Sequence, residues 1–270
     1  LFILKILNKV PRPLLIKFGY SRIGSKIVKL FKEKQTQKWY EVGYGVKMYL
    51  DITNPHTWDL VEGREYEDKV KKIFEKSINE DNTVIDVGAN IGEFSLIASK
   101  KVGSRGKVIS IEPLKQATKW LKKNFELNEF ANYEVIEKAA GDKVGEMTLY
   151  KKSESSEMGI MDPQITEKKL LSDGTILVDT IDNIISSRNI KAVNMLKIDA
   201  EGFEYEVLCG CKEAFKEKKI KKIICEIHLS YLKKKGVNEE IIYSFLRQNG
   251  FSFEFIGTDE DRPHILAKLS

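Results

Sequence analysis

Four apolar runs of this chain end in an acid: Thr83-Val84-Ile85-Asp86, Val108-Ile109-Ser110-Ile111-Glu112, Met195-Leu196-Lys197-Ile198-Asp199 and Ile223-Ile224-Cys225-Glu226. The first pair has a definite chemistry. From Asp86 the chain turns through Val87-Gly88-Ala89-Asn90-Ile91-Gly92, enters the helical pattern Glu93 to Lys101, and returns as the run ending at Glu112-Pro113. A strand, a tight turn, a helix and a second strand in that order bind adenosine-containing cofactors. Gly88 and Gly92 allow the backbone to approach a ligand without a Cβ in the way. Glu112, at a strand's carboxyl end, offers two oxygens to the two ribose hydroxyls.

The loop also discriminates between cofactors. A dinucleotide fingerprint, G-x-G-x-x-G, starting at Gly88 needs glycine at positions 90 and 93, where Asn90 and Glu93 stand. A carboxylate at a helix start repels a pyrophosphate, which seeks free N–H groups and positive potential there. S-adenosylmethionine has no phosphate and carries an amino group and a sulfonium, so acids at 86 and 93 suit it. It is therefore the expected cofactor. Asp86 and the loop Gly88, Ala89, Asn90 and Gly92 should face its methionyl portion, and Glu112, beside Pro113, its ribose.

A methyl donor needs an acceptor, and the remaining acids frame it. In open α/β sheets, ligands lie outside the carboxyl ends of the strands, near the point where strand order reverses. Asp86, Glu112, Asp142, Asp199, Glu201, Glu226 and His228 all fall at or just beyond such ends. Buried charges are costly unless paired, so packing alone does not explain the set, although some members will be caps or surface groups. Methyl transfer is an in-line displacement that needs alignment, exclusion of water, and a base for a hydroxyl acceptor. Asp199 and Glu201 close the fourth core strand. His228, one of three histidines, follows the fifth, and its ordinary pKa suits a base near neutral pH. His228 or Asp199 is expected as the base, with Glu201 and Glu226 orienting the substrate; a structural role for His228 is the competing reading. Asp199, Glu201, Glu226 and His228 could also ligate a divalent ion. Their spacing is not diagnostic, and no metal is assigned.

Composition bounds these readings. The 270 residues can hold one large α/β domain and an extension. Apolar content of 42% and charged content of 31% are those of a globular protein, and no run reaches the ~18 apolar residues of a membrane span. Cys209, Cys211 and Cys225 lack a C-x-x-C spacing and clustered histidines, which argues against a disulfide scaffold or structural zinc. Buried thiols in a reducing cytoplasm are expected. The net charge of +5 is uneven. Residues 1–38 hold ten Lys or Arg and one acid, whereas the rest holds 35 basic and 39 acidic groups. That distribution argues against nucleic acid over the whole surface and for a local contact.

Two regions are expected: a basic amphipathic extension over 1–38 and a catalytic domain over 39–270, with its core at 60–257. Leu14, Leu15, Phe18, Ile23, Ile27, Leu30 and Phe31 alternate with basic residues in the pattern of one or two amphipathic helices, and no signal-peptide cleavage site is evident. Residues 1–35 either lie on an anionic membrane at its cytoplasmic face or pack as an arm on the domain. A small hairpin is expected over Val42 to Ile52 and a helix over Tyr66 to Ser77. Strands at 83–87, 107–112, 133–138, 176–179, 193–199 and 221–227 alternate with helices at 92–101, 114–127, 181–187, 203–209 and 238–249. This predicts an α/β fold, a mostly parallel sheet with helices on both faces. A strand at 145–150 leads into the polar stretch 151–174, expected as a lid or a plain surface hairpin, and strands 251–256 and 264–269 suggest a terminal antiparallel hairpin.

Taken together, Asp86-Val87-Gly88-Ala89-Asn90-Ile91-Gly92, Ile111-Glu112-Pro113, Ala139-Ala140-Gly141-Asp142, Val178-Asp179-Thr180-Ile181-Asp182, Leu196-Lys197-Ile198-Asp199-Ala200-Glu201-Gly202 and Glu226-Ile227-His228 resemble the FkbM-type methyltransferases, in that family's order, over roughly residues 60–257. Position 200 departs modestly, since the family more often has Val there. The resemblance implies a class I methyltransferase fold with a seven-stranded sheet, S-adenosylmethionine as donor and a hydroxyl acceptor on a sugar, glycan or natural product. It further suggests that Asp142, after Gly141, accepts from the adenine amino group; a plain turn residue is the alternative. An RNA or protein methyltransferase of the same fold competes with this reading. The fourth strand, however, ends in Asp199-Ala200-Glu201-Gly202 rather than an Asn-Pro-Pro-Tyr type of motif, and a basic, aromatic-rich surface is lacking. A non-catalytic binding protein that keeps the fold is the third reading.

Overall fold

The computed structural model describes residues 37–51, 60, 68–151, 159–160, 171–257 and 260–270. The basic segment 1–35 and most of the polar stretch 151–174 lie outside the described residues, so the expectations of a membrane-facing arm and a lid do too. The chain divides into two units, Leu1–Asp68 and Lys69–Ser270. In the first, β1 (Gln37–Glu41) and β2 (Lys47–Asp51) pair antiparallel. Gly43, Tyr44 and Gly45 all take positive φ in the connecting turn. The two glycines are thus the turn of the expected hairpin, and its first strand precedes Val42.

The second unit is built on a seven-stranded sheet. Helix α1 (Asp68–Ser77) leads to β3 (Thr83–Val87), α2 (Glu93–Val102), β4 (Lys107–Ile111), α3 (Lys115–Leu127) and β5 (Tyr133–Ile136). After a smaller sheet the chain continues through α4 (Ile181–Ser187), β10 (Met195–Ile198), α5 (Glu204–Cys209), α6 (Lys212–Lys216), β11 (Lys222–Glu226), α7 (Leu229–Lys234), α8 (Glu240–Gln248), β12 (Phe251–Phe255) and β13 (His264–Leu269). The order across the sheet is β12-β13-β11-β10-β3-β4-β5. Neighbours from β11 to β5 run parallel, and β13 is antiparallel to both β11 and β12. The short connection from β12 to β13 explains that reversal, because a parallel return needs a crossover of a dozen or more residues.

Helices cover the central strands, so they read as continuous apolar runs rather than alternating ones. Val84, Ile85, Val108, Ile109, Leu196, Ile198, Ile223 and Ile224 are essentially inaccessible. The chain builds β3, β4 and β5 outward on one side and then crosses to β10 on the other. Strand order therefore reverses between β3 and β10, and the carboxyl ends of β3, β4, β10 and β11 share one rim.

The smaller sheet differs from expectation. It has the order β6-β9-β7-β8, from β6 (Ala139–Ala140), β7 (Gly145–Lys151), β8 (Gly159–Ile160) and β9 (Leu171–Asp179). The expected strand 133–138 stops at Ile136, where the Lys138 N–H donates back to the Ile136 carbonyl at 2.9 Å, and the chain restarts as β6 against β9. β9 begins at Leu171, five residues before the expected strand start at Ile176.

Candidate active site

On the donor side main-chain hydrogen bonds hold the turn in place. The Gly88 and Ala89 N–H groups both donate to the Ile111 carbonyl, at 3.0 and 3.1 Å, and pin the loop to the end of β4. Gly88 has φ +72°, and a Cβ there would lie 1.8 Å from the Asp199 carbonyl oxygen. The requirement for glycine at this position is therefore contact with the neighbouring strand as much as approach to a ligand. Asn90 takes φ +49°, which asparagine tolerates better than most residues. Its N–H donates to Glu112 Oε2 at 2.9 Å, and the Leu114 N–H donates to Glu112 Oε1 at 2.9 Å. Two bonds thus fix the Glu112 carboxylate. Burial pushes its pKa up to about 7, against the two N–H donors, with Asp199 and Asp86 adding repulsion.

Asp86 lies beneath the loop and is fully buried. Its Oδ2 accepts from Ser95 at 2.6 Å, Ser95 is 2.7 Å from Ser110, and its Oδ1 lies 3.4 Å from Lys197 Nζ. Burial raises this carboxyl, and Lys197 and Ser95 oppose the rise. Ala89 is buried, Pro113 half-buried, and Gly92 takes φ +104° at the start of α2. Glu93, in the first turn of that helix, pairs with Lys71 at 2.6 Å. Gly141 is buried and donates to the Asp179 carbonyl, whereas Asp142 is exposed in the turn before β7.

On the acceptor side the structure brings Asp199, Glu201, Glu226 and His228 together. His228 Nε2 lies 3.7 Å from Glu201 Oε2, 3.8 Å from Glu226 Oε1 and 3.9 Å from Asp199 Oδ1. Its Nδ1 is 2.8 Å from Glu204 Oε1, which also accepts from the Gly202 N–H at 2.9 Å. The ring stacks on Tyr231 at 5.5 Å. Burial acts to lower the His228 pKa, but Glu204, Glu201 and Asp199 outweigh it and push it up to about 10. These neighbours favour the charged ring, whereas its ordinary pKa suggests a near-neutral base. For Asp199 burial acts upward, yet Lys197, His228 and His264 hold its carboxyl below the usual range. Burial pushes Glu201 up to about 7 against His228, with Asp199 and Glu226 reinforcing the rise. Glu201 also sits at φ +49°, a conformation that costs a residue with a Cβ about 1 kcal/mol or more.

Five partners in this cluster are absent from the sequence-based set: Lys197, Glu204, Tyr231, Arg262 and His264. Strand register delivers two of them. β3–β10 pairing sets Lys197 opposite Asp86, and β11–β13 pairing sets His264 opposite Glu226. Lys197 carried a signal, a lone cation within an apolar strand. Arg262 and His264 carried none, because they reach Glu226 from the terminal hairpin, at 3.4 Å each.

A sheet with this order, one reversed strand, and an adenosine-type loop at its reversal point has the class I methyltransferase fold. Residues 86–253 match the model of the Methyltransferase FkbM domain, and the chain belongs to that family. It is 24% identical over 231 residues to the hexuronic acid methyltransferase AglP of Haloferax volcanii, covering 84% of this chain and 86% of that protein. It is 26% identical over 147 residues to Methyltransferase 1 of Beauveria bassiana, covering 48% of this chain and 59% of that one. The crystal structure of Methyltransferase FkbM from Methylobacillus flagellatus KT aligns with 71% of this chain and 44% of its own, at 20% identity and a TM-score of 0.48. The chain thus spans 59% of the length of the fungal relative and 44% of the Methylobacillus chain.

S-adenosylmethionine is the cofactor of this class, and the residues present fit it. Asn90 Oδ1 is buried at the turn without a hydrogen-bond partner, an acceptor suited to an amino group. Glu112 is fixed at the end of β4 with lone pairs left for a diol, and Glu93 disfavours a diphosphate at α2.

Proposed function

We propose that this chain transfers a methyl group from S-adenosylmethionine to a hydroxyl oxygen of a sugar, with a uronic-acid-containing glycan as the first candidate. The observation that carries the reading is the packing of Gly88 onto Asp199, which sets the carboxylate cluster directly beside the donor loop. The likeness to AglP, named as a hexuronic acid methyltransferase and matched over most of both chains, supports the sugar.

Bound at Glu112 and Asn90, the cofactor supplies an electrophilic methyl on a sulfonium. The chain's own residues do the rest. Asp86, Lys197 and the Ile111 carbonyl hold the loop rigid, so the donor is positioned without reorganisation. Asp199 and Glu201 face the space where a hydroxyl must lie, and a carboxylate of this pair takes its proton. Glu226 and His228 orient the acceptor. Asp142, in the exposed turn after Gly141, is the proposed acceptor for the adenine amino group.

Incubation with tritium-labelled S-adenosylmethionine and a panel of uronic acid glycans, neutral sugars, lipids and RNA tests the reading. Label is expected in a saccharide, on oxygen. Label confined to RNA or protein, or absent from every acceptor, contradicts it. Asp199→Asn should lower turnover by about 10²–10⁴-fold while leaving S-adenosylhomocysteine affinity unchanged, the separation expected of a group that acts on the acceptor.

A further inference from the structure

The geometry points to a divalent-cation site formed by Asp199 Oδ1, Glu226 Oε1 and His228 Nε2, which holds the acceptor hydroxyl beside the donor loop. This inference rests on the methyltransferase reading above for its role, but not for its existence.

One ligand atom from each of the three residues lies within 4.8 Å of the others. Nε2 is 3.8 Å from the glutamate oxygen and 3.9 Å from the aspartate oxygen. These separations exceed a hydrogen bond, whose limit is ~3.2 Å. They match atoms sharing one ion, since ligands at ~2.1–2.2 Å from a common metal stand ~3–4.2 Å apart.

A second observation is independent of the clustering. Glu226 is 5% exposed, and its Oε1, the atom directed at Nε2, has no hydrogen-bond partner; Arg262 Nη1, at 3.4 Å, is its charged neighbour. Arg262 offsets its charge, but a buried carboxylate oxygen without a hydrogen bond is still costly, and a directly bound ion would complete it.

The imidazole is also prepared for ligation. Glu204, fully buried, binds Nδ1 at 2.8 Å and leaves Nε2 facing the carboxylates. A carboxylate behind a histidine in this way fixes the ring and raises its basicity toward a metal. Local charge agrees. Asp86, Asp199, Glu201, Glu204 and Glu226 face the cations Lys197 and Arg262, a formal excess of three negative charges before the imidazoles are counted, and an ion at Nε2 takes the place of the proton that these acids favour on His228.

One imidazole and two carboxylates suit a first-row divalent ion such as manganese and leave coordination positions for substrate oxygen. A hydroxyl held there gives up its proton more readily, and Glu201, which is not a ligand, receives it.

The test is Mn²⁺ titration of the chelator-treated full chain, followed by the electron paramagnetic resonance signal of free Mn²⁺. One ion per chain is expected. Glu226→Gln and Asp199→Asn, the latter at a partly exposed position, should each weaken binding at least about tenfold. Glu204→Gln, a positioning change, should weaken it about 10–100-fold and alter the bound-ion spectrum. S-adenosylhomocysteine titrations and circular dichroism on the same samples report the donor site and the fold. Absence of Mn²⁺ binding by the wild-type chain, or binding equal in all three variants, overturns the cation site. Failure of S-adenosylhomocysteine to bind instead removes the donor reading, so the two failures are distinguishable.

Discussion

Lys197 links the two halves of the site at the scale of a single residue. It is 6% exposed, 3.4 Å from Asp86 and 3.5 Å from Asp199. Lys197→Met strands Asp86 in the core, and removing one partner of a buried pair costs about 3–5 kcal/mol. In urea denaturation the loss should shrink as pH falls, because Asp86, already displaced upward by burial, takes a proton before an ordinary carboxylate does. A loss independent of pH contradicts this pairing. Glu112 makes a second residue-scale prediction. Its folded pKa of about 7 lies above the unfolded value, so its contribution to stability is present below the unfolded pKa and is lost as pH rises through 7. Ribose hydroxyls prefer the carboxylate, so S-adenosylhomocysteine affinity should fall as pH drops below 7, and Glu112→Gln should abolish that dependence. Calorimetry from pH 6 to 8 measures both. Asp86, Gly88 and Glu112 were legible in the sequence because strand, turn and acid are contiguous there. Glu204 was not, because what distinguishes it, a bond to a histidine 24 positions away, exists only after folding.

Elements were legible where their periods were long. β3, β4, β10 and β11 stand within two residues of the expected runs, and α3 begins one residue inside its expected range. α6 and α7, five and six residues long, were not foreseen. The break between β5 and β6 escaped for another reason: the partner strand changes there from β4 to β9, which no local pattern records. The loop between β3 and α2 carries the prediction at this scale. Gly88→Ala forces a Cβ to 1.8 Å from the Asp199 carbonyl at φ +72°. The conformation alone costs roughly 1–2 kcal/mol, and the contact must push the end of β10 away. The variant should therefore lose stability in urea and also weaken S-adenosylhomocysteine binding. Unchanged binding contradicts the idea that this loop and Asp199 form one surface.

The whole molecule adds sheet order and charge distribution. Strand order was not readable from periodicity, which is blind to neighbours; the family resemblance implied only a class I methyltransferase sheet, and the order reversing between β3 and β10 agrees with that fold. Residues 1–38 carry nine net positive charges, while the remainder is net negative by four. Among the described residues no helix is long and apolar enough to cross a membrane. If the basic segment docks on an anionic surface, the full chain should sediment with anionic vesicles at low salt and be released by salt, and removing residues 1–35 should end it. Vesicle binding unchanged by that removal sinks the membrane contact and favours an arm packed on the domain. The methyltransferase reading depends on the pocket formed by the glycine loop, Asn90 and Glu112. Isothermal titration with S-adenosylhomocysteine probes it directly: one molecule should bind per chain, with NAD giving no heat. Tight binding of NAD and silence toward S-adenosylhomocysteine would contradict the account.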